Sequence, residues 1–183
     1  MQEIEVKYRL LHTTAEGVAL SLASHGVRLS APVRQDDQAY AQPGWDYGQS
    51  KVGVAFARLR TQGNRHLFTV KTPLANEMAC LEHETIVADR EQMHQAVVQM
   101  GFQPTVRIVK TRRTGQAADG IAVCVDEVEH AGLFLELETV TGAGEPGEAA
   151  QERLDAFARS FGLALERVTD TYDSLVRRAL TPA

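Results

Sequence analysis

The first residues of the chain alternate between charged and apolar positions. Successive side chains of a β-strand point to opposite sides, so such a segment has one charged and one apolar face. Here the charged face carries Glu3, Glu5 and Lys7, and the apolar face carries Ile4, Val6 and Tyr8. The pattern predicts a first strand over residues 3–8.

Similar extended patterns recur along the chain and predict further strands. These lie at 27–40, 56–60, 66–71, 81–87, 106–114, 121–128 and 133–141. The segment Gln62-Gly63-Asn64 predicts a hairpin between the third and fourth strands. We expect an α+β fold with about eight mostly antiparallel strands, in which the sheet curves strongly or closes into a barrel with surrounding helices.

Apolar residues at helical spacing predict four helices. Thr13 with Glu16 forms a capping-box pattern for the first helix, Asp89 is expected to cap the second, and Asp170 to cap the last. Residues 142–147 are expected to form a surface connection, and residues 43–48 a packed loop rather than a lid. The expected buried positions of the later helices are Met93, Val97, Met100, Leu154, Phe157, Ala158, Phe161, Tyr172, Leu175, Val176 and Ala179.

Composition narrows the class of protein. With 183 residues, 44% hydrophobic and 23% charged, we expect one globular domain over 1–183, with the last helices at about 147–180 packing on the barrel. The net charge of -5 argues against a nucleic-acid binder. The charged start and the lack of a long apolar run predict a cytoplasmic protein without a membrane segment. Cys80 and Cys124 are expected to be thiols, although a disulfide stays open.

The charges on the predicted strands are segregated by sign. At strand spacing, the carboxylates of Glu3 and Glu5 are roughly 7 Å apart, which costs about 2 kcal/mol at an effective dielectric near 20. Either water or a divalent cation could relieve that repulsion. Since each strand keeps one predominant sign, we favour a polar interior that binds a metal-chelated di- or triphosphate. The recurring pairs after the first strand are Arg58/Arg60, Glu82/Glu84, Lys110/Arg112 and Glu136/Glu138, with Lys71 and Asp126 as single charges.

These motifs, in this order, resemble a known family. Glu3-Ile4-Glu5-Val6-Lys7 is similar to the E-x-E-x-K signature of the CYTH superfamily, the triphosphate tunnel metalloenzymes, which include class IV adenylyl cyclases, thiamine triphosphatases and inorganic triphosphatases. The resemblance covers nearly the whole chain. It continues through Arg58-Leu59-Arg60, Thr69-Val70-Lys71, Glu82-His83-Glu84, Lys110-Thr111-Arg112, residues 125–128, residues 132–138 and Thr171-Tyr172-Asp173-Ser174-Leu175.

The resemblance implies an eight-stranded antiparallel tunnel that binds Mg²⁺ or Mn²⁺ and a triphosphate. By that likeness the metal positions are Glu3, Glu5, Asp126, Glu136 and Glu138. The implied substrate-binding positions are Lys7, Arg58, Arg60, Lys71, Lys110 and Arg112, together with the mid-chain acidic pair Glu82 and Glu84. Two positions depart from the family pattern, because Cys80 and Asp170 stand where many members carry a cation.

The chemistry stays open between hydrolysis and cyclisation at this stage. We expect hydrolysis of ATP, inorganic triphosphate or thiamine triphosphate, because attack by water needs no purine-binding pocket, and Lys7, Lys110 and Glu5 are the catalytic candidates. The alternatives are an adenylyl cyclase, a non-catalytic polyphosphate or nucleotide sensor that Cys80 and Asp170 would favour, and a barrel whose charges are merely solvated. A homodimer is only the common default.

Overall fold

The computed structural model describes residues 2–117, 120–141 and 147–181. In those residues the strands are β1 (Gln2–Leu10), β2 (Val33–Ala41), β3 (Phe56–Gln62), β4 (Arg65–Pro73), β5 (Ala79–Val87), β6 (Gln103–Gln116), β7 (Ala122–Val128), β8 (Gly132–Thr141) and β9 (Leu165–Val168). The helices are α1 (Ala15–Ser24), α2 (Arg90–Gln99), α3 (Gly147–Ser160) and α4 (Tyr172–Leu180).

The first eight strands close into an antiparallel barrel. The order of neighbours is β5-β4-β3-β2-β6-β7-β8-β1, and pairing of β1 with β5 completes the ring. Only the start of β1 makes that closing pair, with Glu3 opposite Cys80, while the later residues of the same edge pair with β9. The predicted α+β barrel with surrounding helices is therefore confirmed.

The barrel buries two apolar clusters on its outer face. The larger one joins the apolar face of β1, including Ile4 and Val6, to α1 and α3. A second, centred on Leu59, lies beneath α2 and includes Val97. Because the outer face carries most of the apolar side chains, the inner face is left for polar ones.

Helix α4 fills one end of the barrel. Its buried residues Tyr172, Leu175 and Val176 pack with inward-facing side chains of β6 and β8, among them Ile108 and Phe134. At the other end, Ile86 and Val140 lie on the inner faces of their strands and are 60% and 56% exposed. The barrel is thus closed by α4 at one end and open to solvent at the other.

The predicted hairpin turn and the predicted cap of α2 are present, whereas the cap of α1 differs by one residue. Gly63 and Asn64 form the two-residue connection between β3 and β4, and Asp89 caps α2 by accepting a hydrogen bond from the amide of Gln92 at 2.9 Å. Thr14, not Thr13, caps α1, because the helix starts one residue later than the pattern suggested.

The prediction that Asp170 caps the last helix is wrong. Thr171 occupies the cap position of α4, and no side chain there makes a capping hydrogen bond. The carboxylate of Asp170 instead accepts a hydrogen bond from Arg178 at 3.1 Å. Asp170 therefore joins the last turn of α4 to the segment before it.

Two expected core positions and one strand also differ from the sequence analysis. Met100 is 61% exposed and Ala179 is exposed; Met100 is the C-cap of α2, and Ala179 lies in the last turn of α4. Strand β9 was not predicted, because its four residues Leu-Glu-Arg-Val are too few to show a period. Within the expected connection at 142–147, residues 142–146 lie outside the described residues, and Gly147 begins α3. No helix in the described ranges is long and apolar enough to cross a membrane.

Candidate functional site

The inner faces of the strands enclose a cavity of about 320 Å³. All the predicted substrate-binding residues line it, and so do four of the five predicted metal positions, the exception being Asp126. The lining side chains of the predicted set are Glu3, Glu5, Lys7, Arg58, Arg60, Lys71, Glu82, Glu84, Lys110, Arg112, Glu136 and Glu138.

Barrel closure sorts most of these charges into two halves. Arginine and lysine side chains of the set lie on β3, β4 and β6, which form one continuous half with β2. Glutamates lie on β5, β1 and β8, which form the other half with β7. We call these the cationic half and the acidic half. Lys7 on β1 is a cation within the acidic half, and Asp37 on β2 is an anion within the cationic half. A cavity with facing cationic and anionic walls suits a ligand that is itself a complex of an anion and a cation.

Glu5 and Glu138 form the centre of the acidic half. They lie directly opposite each other on β1 and β8, so two carboxylates of like charge are neighbours on one face. Burial, together with the carboxylate of Glu136, raises the pKa of Glu5. Burial also raises the pKa of Glu138 to about 7, Arg112 opposing the rise and Glu3, Glu136 and Glu5 adding to it. Each carboxylate is therefore held in a site that penalises its negative charge.

Glu3 and Glu82 both contact Lys71 where β1 meets β5. Lys71 Nζ lies 2.9 Å from the Glu3 carboxylate and 2.5 Å from that of Glu82. Burial and the hydrogen bond with Glu3 raise the pKa of Glu82 to about 7. Burial acts in the same sense on Glu3, but its bonds to Glu82 and Lys71 lower the pKa of Glu3 to about 2. Glu3 is thus the anion of the pair, and Glu82 retains its proton more readily.

Asp126 lies on the inner face of β7, paired with Arg112, but it is fully buried and does not line the cavity. It accepts hydrogen bonds from Lys110 Nζ at 2.8 Å and from Arg112 Nε at 2.7 Å. Despite burial, Arg112 and Lys110 lower the pKa of Asp126, so it stays ionised. Arg112 also donates to Glu136, whose carboxylate is 3.4 Å from Lys7 Nζ. The network holds two cations of β6 in place.

The two arginines of β3 are held differently from each other. Arg60 makes a buried, two-point ion pair with Asp37, in which both hydrogen bonds are 2.7 Å long. Arg58 donates through Nη2 to Thr69 at 3.1 Å and to Glu84 at 3.2 Å. Its Nε is buried and has no hydrogen-bond partner among the described residues. Arg58 therefore keeps a donor available in the cavity wall.

The sequence profile of the CYTH domain matches residues 1–172 of the chain. The chain belongs to the CYTH domain family. A curated Methanocaldococcus jannaschii protein named "Putative adenylate cyclase MJ0240" is 24% identical over 182 residues, 98% of this chain and 96% of that protein.

Solved structures share the fold of this CYTH chain. The PH1819 protein of Pyrococcus horikoshii OT3 superposes with a TM-score of 0.80 at 22% identity, over 96% of this chain and 98% of that one. A Hippeastrum protein, HpAC1, described as a "putative adenylyl cyclase" with a dominant triphosphatase activity, gives a TM-score of 0.64 at 18% identity, over 100% and 98% of the two chains. At these identities the likeness shows the fold.

The CYTH cavity also contains residues that sequence reasoning missed. Asp37 lies two residues from both Gln35 and Ala39 on β2, so the three side chains share one face. The period of two could therefore have placed Asp37 on the inner face. Lys51 lies in the loop after β2 and is buried, with its ammonium 3.0 Å from Asp173 and 3.0 Å from the hydroxyl of Ser174. That loop has no period, so no local signal could have predicted the contact.

The two departures from the family pattern lie near the cavity of this CYTH chain. Cys80 lines the cavity opposite Glu3, and burial raises the pKa of its thiol to about 12. The backbone carbonyl of Asp170 accepts a hydrogen bond from Lys7 Nζ at 3.2 Å. Both positions thus contact the site without supplying a cation. Cys80 and Cys124 are both buried free thiols.

The acidic half contains a donor set that suits a hard cation. In residues 2–117, 120–141 and 147–181, no three Asp, Glu, His or Cys side chains already gather in metal-binding geometry. Mg²⁺ in phosphate-transfer sites is commonly bound by one or two carboxylates together with water and substrate oxygens, rather than by a complete protein cage. The opposed Glu5 and Glu138 pair fits that mode of binding. The other three predicted metal positions, Glu3, Asp126 and Glu136, each form ion pairs.

Proposed function

We propose that this CYTH protein hydrolyses a phosphoanhydride bond of a small triphosphate in the presence of Mg²⁺ or Mn²⁺. The observation that carries the proposal is the opposed pair Glu5 and Glu138, which faces a wall formed by Arg58, Lys71 and Arg112 across one cavity. A metal-bound triphosphate would offset the repulsion of the carboxylates and the charge of the cationic wall together. The family and the likeness to HpAC1 agree with this substrate class.

Glu5 and Glu138 are the proposed primary metal ligands, with Glu3 and Glu136 adjacent to them. A divalent cation bound there would neutralise phosphate charge and favour attack at phosphorus. Asp126 keeps its predicted metal role only as a hypothesis, since both of its oxygens accept from Lys110 or Arg112. We favour a role for Asp126 in positioning those two cations.

The cationic half binds the triphosphate. Arg58 offers its unpartnered Nε, and Arg112 and Lys71 can exchange part of their contact with glutamates for contact with phosphate oxygens. Arg60 stays paired with Asp37 and contributes its charge, while Glu84 orients Arg58. Charge-assisted hydrogen bonds of this kind combine strength with directional selectivity for phosphate.

Catalysis is assigned to Lys7, Lys110 and a carboxylate oxygen of Glu5. The transition state of phosphoryl transfer places charge on the phosphoryl oxygens, which the two ammonium groups stabilise. Burial, and then Arg112, lowers the pKa of Lys110, which eases proton movement at its Nζ. A Glu5 oxygen that is not bound to the cation is the proposed acceptor of a proton from the attacking water.

An adenylyl cyclase is the second candidate. The M. jannaschii relative carries that name, and the same cavity residues would bind ATP while its ribose hydroxyl attacks the α-phosphate. A non-catalytic sensor of polyphosphate or nucleotide is the third candidate, because Cys80 and Asp170 remove two cations that the family commonly has.

The test incubates purified protein with ATP, inorganic triphosphate or thiamine triphosphate, each with Mg²⁺ and then Mn²⁺, and separates all products by chromatography. Orthophosphate as the main product supports the hydrolase. Cyclic AMP with pyrophosphate would replace it with the cyclase. Triphosphate binding without any product would favour the sensor, and no thermal shift with triphosphate and metal would leave a barrel whose charges are merely solvated.

A further inference from the structure

The ring of Tyr172 touches two ammonium groups that come from separate strands. Lys7 Nζ lies 4.3 Å and Lys110 Nζ 4.6 Å from the ring centroid. Lys7 is on β1 and Lys110 on β6, and β7 and β8 lie between these strands in the barrel. One aromatic side chain of α4 therefore spans the site between the two proposed catalytic lysines.

The ring is itself held on several sides. It meets the ring of Phe134 edge to face, with centroids 5.2 Å apart, inside the apolar cluster that closes the barrel. The first turn of α4 is anchored by Lys51, which donates to Thr171 and contacts Asp173 and Ser174. The position of the ring is therefore set by α4 and by its contact with Phe134, independently of the two lysines.

Oxygen acceptors also contact both ammonium groups. Lys110 Nζ donates to Asp126 at 2.8 Å, and Lys7 Nζ donates to the backbone carbonyl of Asp170 at 3.2 Å and lies 3.4 Å from Glu136 and 3.7 Å from Glu5. The three carboxylates belong to the acidic half and attract the ammonium groups toward it. A ring face attracts a cation through its quadrupole, most strongly where water is excluded, without neutralising the charge. The contact thus restrains each lysine while leaving its positive charge available.

We propose that Tyr172 is a positioning residue that holds the ammonium groups of Lys7 and Lys110 toward a bound triphosphate through the face of its ring. This inference rests on the proposed function, because it concerns how that site acts on its substrate. The hydroxyl is not required. Burial, and next Asp126 and Glu136, raise the pKa of Tyr172 well above its ordinary value, so the side chain stays neutral.

The first test compares Tyr172→Phe with Tyr172→Leu in the full chain. The phenylalanine variant keeps the ring face and should retain most of the wild-type kcat/KM for the triphosphate turned over fastest. The leucine variant fills the apolar cluster but lacks the ring, and kcat/KM should fall roughly tenfold, chiefly through kcat because ground-state contacts with the cationic wall remain. Equal loss in both variants would assign the role to the hydroxyl and overturn the proposal.

A second test addresses the case in which Tyr172→Leu does not fold. Phenylalanine analogues carrying one, two or three ring fluorines are incorporated at position 172, which weakens the ring quadrupole with little change in volume. The logarithm of kcat should fall steadily with each added fluorine, while the melting temperature stays nearly constant. An unchanged kcat across the series would overturn the proposal, since a purely structural ring would not respond to its own electrostatics.

Tyr8→Leu provides the matched control. Tyr8 is also a buried tyrosine whose ring contacts a cation, Arg167 at 5.2 Å, but it lies outside the cavity. Its loss should lower the melting temperature without the change in kcat expected for Tyr172→Leu. If the wild-type protein neither binds nor turns over any triphosphate with metal, the proposed function itself has failed. If the wild-type protein is active but kcat does not change along the fluorine series, only the proposed role of Tyr172 has failed.

Discussion

Replacing Glu138 with glutamine should make the metal-free protein more stable while impairing metal binding. Glu138 lies opposite Glu5, and burial raises its pKa from 4.5 to about 7. A raised pKa means that the folded chain binds the proton more tightly than the unfolded chain does. The resulting stability is complete below pH 4.5 and is lost as the pH rises through 7. Above pH 7 the ionised Glu138 destabilises the fold.

The size of the effect follows from the pKa. A rise from 4.5 to about 7 corresponds to about 3 kcal/mol of unfolding free energy, and partial solvent access of the side chain reduces this to about 2 kcal/mol. At pH 8, Glu138→Gln should therefore unfold with a free energy about 2 kcal/mol higher than wild type. At pH 4 the two proteins should differ little, because the wild-type carboxyl is then protonated in both states.

The assay is urea unfolding at pH 4, 6 and 8 with a chelator, repeated at pH 8 with Mg²⁺. Added Mg²⁺ should raise the stability of wild type and have less effect on the variant, since a ligand stabilises the state that binds it. Glu127→Gln is the control, because Glu127 is exposed on β7 and does not line the cavity. A pH-independent difference, or a less stable variant at pH 8, would refute the view that Glu5 and Glu138 oppose each other in the folded protein.

Further predictions concern single contacts of the site. Glu3→Gln should weaken the metal dependence of turnover, whereas Arg58→Ala should mainly raise KM, by roughly tenfold for one lost charge-assisted contact; an unaltered metal titration of the first variant would remove Glu3 from the metal site. Asp37→Asn should lower the unfolding free energy by about 3 kcal/mol, because it leaves the buried Arg60 without its counter-charge, and calorimetry showing no loss of stability would contradict this. Lys51→Met should speed amide hydrogen exchange in the first turn of α4, and unchanged exchange there would mean that Lys51 does not anchor the helix.

Most of the inner face of the barrel could be predicted from the sequence. Side-chain direction in a strand alternates by local geometry, so the spacing of Glu3 with Glu5, or Arg58 with Arg60, places each pair on one face whatever the rest of the chain does. Turn residues such as Gly63 and the cap Asp89 are equally local. The alternation alone is compatible with either a curved sheet or a closed barrel. The family resemblance favoured the closed barrel.

The partners of those charges depended on the tertiary structure. Which strand neighbours which is set by the fold: the pairing of β1 with β8 brings Glu138 opposite Glu5, and the pairing of β6 with β7 places Asp126 beside Lys110. Contacts between residues far apart in the chain leave no local period, so the contacts of Lys51 with α4 and of Tyr172 with the two lysines could not be predicted. The sequence thus determined which side chains face inward, because that property is local, and the fold decided which of them meet.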